Sequence, residues 1–349
     1  MAVTIRRLPS HSIDQSFDSS GLLREYQGWA KDGLRALEKG PDLALRRCKG
    51  RVFYSGMGAS AAPGEVFSDY LRNEGVRLNL ITNHILPDDI TPNDTLVAVS
   101  LSGSTEETLI VAERASFLGV PVVGLSAGGK LKELCLERGL PHVQLERNLT
   151  SRSSFPLLMG GVSRVLSILL GRGSLLELSA NAWRNLDPLA QRIFSEGQES
   201  GPVSLAKWLL NAPHINIYYS PFAPSVGRRM KNMLSENAKT RSTSSDILEV
   251  QHDGITAWEG DYGTKLVLIK SPYDDEFVTR RFAAVSDVVR SLGFGVEELP
   301  GTQGGLEYFV NSFFYIDLAS IYLALLKRVD PAVTRSQRLV RARLDNAPA

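Results

Sequence analysis

Apolar residues at Leu22, Leu23, Tyr26, Trp29, Leu34 and Leu37 recur near helical spacing. They predict an opening helix over residues 22–38, closed by Lys39-Gly40. The pattern then changes to short apolar runs separated by helical stretches. Runs at 51–55, 76–81, 95–100, 120–125 and 142–145 read as strands, and 62–73, 106–118, 131–138 and 155–170 as helices. Such alternation predicts a parallel sheet covered on both faces. Residues 171–201 are mainly polar and helical and read as a connection. The pattern then restarts, with strands at 214–219, 242–248, 264–269 and 295–299. Helices at 225–239, 276–292 and 306–327 accompany them, and a basic helix at 333–344 ends the chain. The expectation is an α/β protein of two tandem αβα sandwich domains with parallel sheets. Residues 1–172 form the first domain with its leading helix, and 173–349 the second with its C-terminal helix.

A length of 349 residues supports two domains, and 43% hydrophobic residues suffice for a sizeable core. Lys and Arg number 39 against 38 Asp and Glu, so no global field calls for nucleic acid or a membrane surface. The basic C-terminal stretch (Arg335, Arg338, Arg341, Arg343) reads as a solvated helix face. Cys48 and Cys135 are too few for a disulfide scaffold. Carboxylates and histidines do not cluster at metal-ligand spacing, so no metal and no cofactor is expected. The residues after Met1-Ala2-Val3-Thr4-Ile5-Arg6-Arg7 are polar, and no apolar run reaches about 18 residues, the length of a membrane span. The chain therefore reads as cytoplasmic.

Two turns carry the candidate chemistry, each where a strand runs into a helix. The first is Gly56-Met57-Gly58-Ala59-Ser60, whose glycines permit positive φ and close backbone approach. The second is Ser100-Leu101-Ser102-Gly103-Ser104-Thr105-Glu106-Glu107-Thr108, which supplies hydroxyls and helix N–H groups suited to a phosphate. Ser104 with Glu107 also fits an ordinary capping box. Gly56, Gly58 and Ala61 fit the dinucleotide fingerprint, but the second strand ends Leu80-Ile81-Thr82-Asn83 without the carboxylate that would hold a ribose. No P-loop lysine is present either. Two such turns in one sheet fit a small phosphorylated ligand.

With these residues in view, the chain resembles the sugar isomerase (SIS) domain. In the second half, Arg229-Met230-Lys231-Asn232-Met233-Leu234-Ser235-Glu236-Asn237-Ala238-Lys239 and Ile247-Leu248-Glu249-Val250-Gln251-His252-Asp253 resemble the bifunctional phosphoglucose/phosphomannose isomerases. Those proteins are tandem SIS domains that form dimers. The resemblance implies that Gly58, Ala59 and Ser60 line the sugar site and that Ser100, Ser102 and Thr105 hold the phosphate. It gives Arg152 as the active-site arginine, Glu236 as the base between C1 and C2, and His252 as the ring-opening histidine contributed across a homodimer interface. Thr334 matches a threonine tied to mannose 6-phosphate. Arg341 stands where the family has a lysine, Ala59 where it usually has glycine, and Asp253-Gly254 where asparagine is usual. The loop 256–262 is an addition.

The expected function is aldose–ketose isomerisation of glucose 6-phosphate and mannose 6-phosphate with fructose 6-phosphate, by metal-free proton transfer through an enediol. Such a reaction needs an anchored phosphate, a carboxylate poised by partial burial, a histidine that exchanges protons near neutrality, and a cation for the developing oxyanion. On its own residues, Glu236 reads first as a surface carboxylate paired with Lys231 or Lys239, and Arg152 equally as a loop arginine. The alternatives are an isomerase of another sugar phosphate and a non-catalytic phosphosugar-binding protein. An amidotransferase or a DNA-binding regulator is not expected, since Met1-Ala2 offers no cysteine nucleophile and the segment before the first helix is short for a helix-turn-helix. Arg341, which keeps its charge, argues against turnover; Glu236 with His252 argues for it.

Overall fold

A computed structural model describes residues 13–38, 45–260, 263–301 and 303–345. Lys39-Gly40, His11, the first seven residues and the end of the 256–262 loop lie outside the described residues. The opening apolar stretch forms two helices, α1 (Leu22–Tyr26) and α2 (Trp29–Glu38), because the chain turns at Gln27-Gly28. The first half continues with β1 (Val52–Ser55), α3 (Ala62–Asn73), β2 (Asn79–Ile81), β3 (Thr95–Val99) and α4 (Glu106–Phe117). It is completed by β4 (Val122–Ser126), α5 (Gly129–Glu137), β5 (His142–Gln144) and α6 (Phe155–Leu169).

The expected connection is the long α7 (Ser174–Glu196), followed by a helix not read from the sequence, α8 (Gly201–Leu209). Then come β6 (Ile215–Tyr219), α9 (Pro224–Glu236), β7 (Ser242–Asp246) and the short α10 (Ile247–Val250). Strand β7 ends earlier than expected, since the Asp246 carboxylate accepts the Leu248 N–H at 2.8 Å and starts α10. The chain ends with β8 (Lys265–Ile269), α11 (Glu276–Ser291), β9 (Gly295–Leu299), α12 (Gly305–Leu326) and α13 (Arg335–Asp345).

Both sheets are wholly parallel, in the orders β2-β1-β3-β4-β5 and β7-β6-β8-β9. Strands β1, β3 and β4 are buried at every position, which is why they read as unbroken apolar runs. One core joins the facing sides of the two sheets through α6, α7, α8 and α12. Aromatic rings from both halves meet there: Tyr26 stacks on Trp29 at 4.5 Å, and Phe155 lies 4.8 Å from Phe313. Helix α12 is 22 residues long, the length read from the sequence, and is apolar enough to cross a bilayer even though Asn311 and Asp317 interrupt its apolar run. It is buried in this core, where Asp317 has charged and polar partners.

Helices α3 and α9 run side by side in opposite directions. Glu65 Oε1 accepts from Arg228 at 2.6 Å, Asp69 Oδ2 from the Ser225 N–H at 2.8 Å, and Asn73 Nδ2 donates to the Phe222 carbonyl at 3.2 Å. Each helix runs back from the carboxyl edge of its own sheet. The carboxyl edge of the first sheet is therefore brought beside the amino edge of the second.

Candidate active site

The two turns read from the sequence lie side by side at the first sheet's carboxyl edge. Ser60 is buried, and its Oγ accepts the Leu101 N–H at 3.0 Å, tying the first turn to the second. Ser100 Oγ lies 2.8 Å from Thr105 Oγ1 and 3.5 Å from Ser102 Oγ, so the three hydroxyls converge. Helix α4 has no side-chain cap, and the expected Ser104–Glu107 capping box does not form; the Ser104 N–H instead meets Ser102 Oγ. Its first turn is left facing the hydroxyl cluster, the arrangement that receives an anion. Gly103 has φ +70°, and a Cβ there would fall on the Gly128 carbonyl, so only glycine closes this turn. Gly58 also has positive φ and has open space where a side chain would project. Ala59 is partly buried beside it.

Arg152 and Glu236, 84 residues apart, meet across the two halves. Arg152 precedes α6 and is 4% exposed; Glu236 ends α9. The guanidinium donates to Glu236 Oε2 at 3.3 Å, to Asn237 Oδ1 at 2.6 Å and to the Pro331 carbonyl at 2.5 Å. A guanidinium carries five N–H donors, so two remain for a ligand. Glu236 is therefore neither a plain surface carboxylate nor an acidic partner of Lys231. Lys239 touches only its backbone: the ammonium donates to the carbonyls of Glu236, Asn237 and Asp330 at 2.8, 3.1 and 2.7 Å. Partial burial and the nearby Arg152 bring that ammonium down to about 8.

Below this pair lies a buried network. Arg229 pairs with Asp317 at 2.5 Å, donates to the Arg152 carbonyl at 3.0 Å, and stacks over Phe313 at 5.1 Å. Tyr26 donates to Asp317 at 2.7 Å, and Asn237 Nδ2 to Ser320 Oγ at 2.8 Å. Burial pushes the Asp317 carboxyl up, against the pull of Arg229. The network orients Asn237 and the Arg152 backbone, so the visible pair rests on α1, α9 and α12 together. Asn237, Lys239, Arg229 and Asp317 were not read as site residues. Asn237 and Lys239 do flank Glu236 in the motif, which was a usable signal.

The remaining residues are placed differently. Thr334 is partly buried, three residues after the Pro331 carbonyl that holds Arg152. Arg341 is exposed on α13 and makes no hydrogen bond or ion pair with Arg152, Glu236 or the hydroxyl turn. His252 is exposed and follows β7 and α10, at the carboxyl edge of the second sheet. Glu236 precedes β7, at the opposite edge. Five strand residues span roughly 15 Å, so His252 does not reach the Glu236 of its own chain. His142 instead pairs with Ser126 Oγ at 2.8 Å, and His214 with Thr243 Oγ1 at 3.2 Å, both local contacts.

Residues 199–344 match the family described as the bacterial phospho-glucose isomerase C-terminal SIS domain. Over 301 residues the chain is 26% identical to a D-glucosamine-6-phosphate 4-epimerase of Sulfolobus acidocaldarius, covering 85% of this chain and 90% of that protein. Over 332 residues it is 25% identical to a bifunctional phosphoglucose/phosphomannose isomerase of Pyrobaculum calidifontis, covering 93% and 100%. The fold superposes on the C-terminal domain of glucosamine-fructose-6-phosphate aminotransferase from Francisella tularensis with a TM-score of 0.72 at 12% identity, covering 91% of this chain and 99% of that one.

Proposed function

We propose that this chain, a member of the bifunctional phosphoglucose/phosphomannose isomerase family, interconverts aldose and ketose 6-phosphates with Glu236 as the proton-transferring base. The substrates on this reading are glucose 6-phosphate and mannose 6-phosphate, with fructose 6-phosphate as the common ketose. The observation that carries it is the meeting of Glu236 with buried Arg152 at the edge of the second sheet that the α3–α9 packing turns toward the first sheet's carboxyl edge, where the uncapped hydroxyl turn stands. The phosphate sits against Ser100, Ser102, Thr105 and the first turn of α4. Gly58, Ala59 and Ser60 line the sugar. Glu236 removes the proton from C2 and returns it to C1, or the reverse, and the two spare Arg152 donors meet the enediolate oxygen.

His252 serves ring opening in a homodimer, from the partner of the chain whose Glu236 it assists. Its position at the far edge of the second sheet supports that division, since within one chain the two groups are kept apart. Thr334 stands near the Arg152 end of the site, where it suits a contact to the sugar. Arg341 contributes at most a fixed positive charge, because a guanidinium does not give up its proton.

A second reading, an enzyme of another sugar phosphate, is favoured by the likeness to the D-glucosamine-6-phosphate 4-epimerase. A coupled assay with fructose 6-phosphate and mannose 6-phosphate, in EDTA, separates the two. Turnover that survives the chelator and is lost in Glu236→Gln supports the isomerase. Absence of turnover, with the sugar phosphates still raising the melting temperature, favours the second reading or a binding protein.

A further inference from the structure

The carboxyl ends of β8 and β9 open into a pocket of about 520 Å³, within the roughly 300–1,000 Å³ of small-molecule sites. Its walls include Tyr308 and Tyr315 of α12, Ile193 of α7 and Val226 of α9. Its lining holds Glu196, Glu297 and Glu298 against Arg192 and Lys270, and Arg290, outside the lining, reaches Glu298 at 3.5 Å. Lys270 pairs with Glu298 at 2.6 Å, and Arg192 reaches Glu196 at 3.9 Å. The side chain of Glu297, partly buried on β9, has no hydrogen bond or ion pair among the described residues. Asn311, 8% exposed, donates to Gln303 at 2.5 Å while its own carbonyl Oδ1 is buried without a partner among the described residues. Both unmatched groups are acceptors.

The turn after β8 takes the place that the hydroxyl turn after β3 takes in the first sheet. Here acids occupy the donors an anion would use. Asp274 accepts from Ser220 Oγ at 2.5 Å and the Ser271 N–H at 2.9 Å, and Asp275 accepts the Val278 N–H at 2.9 Å. An anionic ligand is disfavoured at this edge, and a cation is favoured.

We infer that this pocket is a second ligand site, for a small organic cation whose amine meets Glu297 and whose apolar body lies along Tyr308 and Tyr315. Hydrogen bonding and the tyrosine rings both reward such a head group. The site stands apart from Glu236, at the other edge of the sheet, and needs no turnover to be detected.

Calorimetric titration of the full chain with tyramine, beside 4-hydroxyphenylacetate, tests this. Tyramine is expected to bind with a Kd of about 1 mM or tighter, and the carboxylate at least about tenfold more weakly. Glu297→Gln is expected to weaken tyramine about tenfold with the melting temperature held. Ser312→Phe, which fills the pocket from α12, is expected to do the same, so a folding defect in one variant leaves the other to decide. Fructose 6-phosphate is expected not to displace tyramine. Failure of tyramine to bind, equal binding of the two probes, unchanged binding in the variants, or displacement by fructose 6-phosphate would each overturn the inference.

Discussion

The carboxyl edges of the two sheets occupy equivalent places in a repeated topology, yet they present opposite chemistry. The first carries Ser100, Ser102 and Thr105 at the start of an uncapped helix. The second carries Asp274 and Asp275, which close on the N–H groups of their own turn. A parallel sheet always delivers loops and helix starts to that edge, so the fold supplies the position and the turn residues decide what is received. The antiparallel setting of the sheets adds a further asymmetry. It brings the amino edge of the second sheet, with Glu236, to the hydroxyl edge of the first. The two halves thus divide the proposed reaction: one anchors, the other supplies the base.

The largest expected effect tests that division. Glu236→Gln keeps the hydrogen bond to Arg152 available but removes the base. It is expected to lower kcat by roughly 10²–10⁴-fold with the melting temperature nearly unchanged. A kcat within a few fold of the parent would move the base elsewhere. Next comes the buried support. Arg229→Met strands the Asp317 carboxylate in the core and is expected to destabilise by about 3–5 kcal/mol, read by urea unfolding. A loss below about 1 kcal/mol would show that Tyr26 and Ser320 carry the network without it.

At the anchoring edge, Ser100→Ala or Thr105→Val removes one bond to a charged group. The expected cost is about 1.5 kcal/mol, close to a tenfold rise in KM for fructose 6-phosphate, with a smaller change in kcat. An unchanged KM would take the phosphate away from this turn.

Much of this was legible in the order of residues, and the exceptions have physical causes. Buried parallel strands read clearly because both faces are apolar, as in β3. Helix α8 falls largely in residues 202–213, which the sequence reading leaves unassigned; its Pro202 sits in the first turn, where proline costs nothing. Strand β7 (Ser242–Asp246) has no apolar residue and was found from its place in the alternation. Glu236 and Arg152 came from motifs, but nothing local announces that Asn237, Pro331 and Lys239 bind them together. Those contacts join segments far apart in the chain and exist only after the sheets pack.

The smallest expected effect concerns the latch between the halves. Asp69 caps the start of α9 through the Ser225 N–H, and burial raises its carboxyl from 3.8 to about 6. A raised carboxyl favours the folded state fully below pH 3.8, and that contribution is lost as pH rises through about 6. Asp69→Asn keeps an acceptor without the buried charge. It is expected to raise the melting temperature by about 2–4 °C at pH 8 and to change little at pH 4. A drop at pH 8 would mean that the Asp69 charge itself holds α3 to α9.

The most direct test of the proposed division is conversion of fructose 6-phosphate in deuterium oxide, followed by NMR of the aldose product from the parent protein and from Glu236→Gln. The account predicts deuterium at C2 of the aldose from the parent and no labelled product from the variant. Aldose formed and labelled by the variant as by the parent would contradict it.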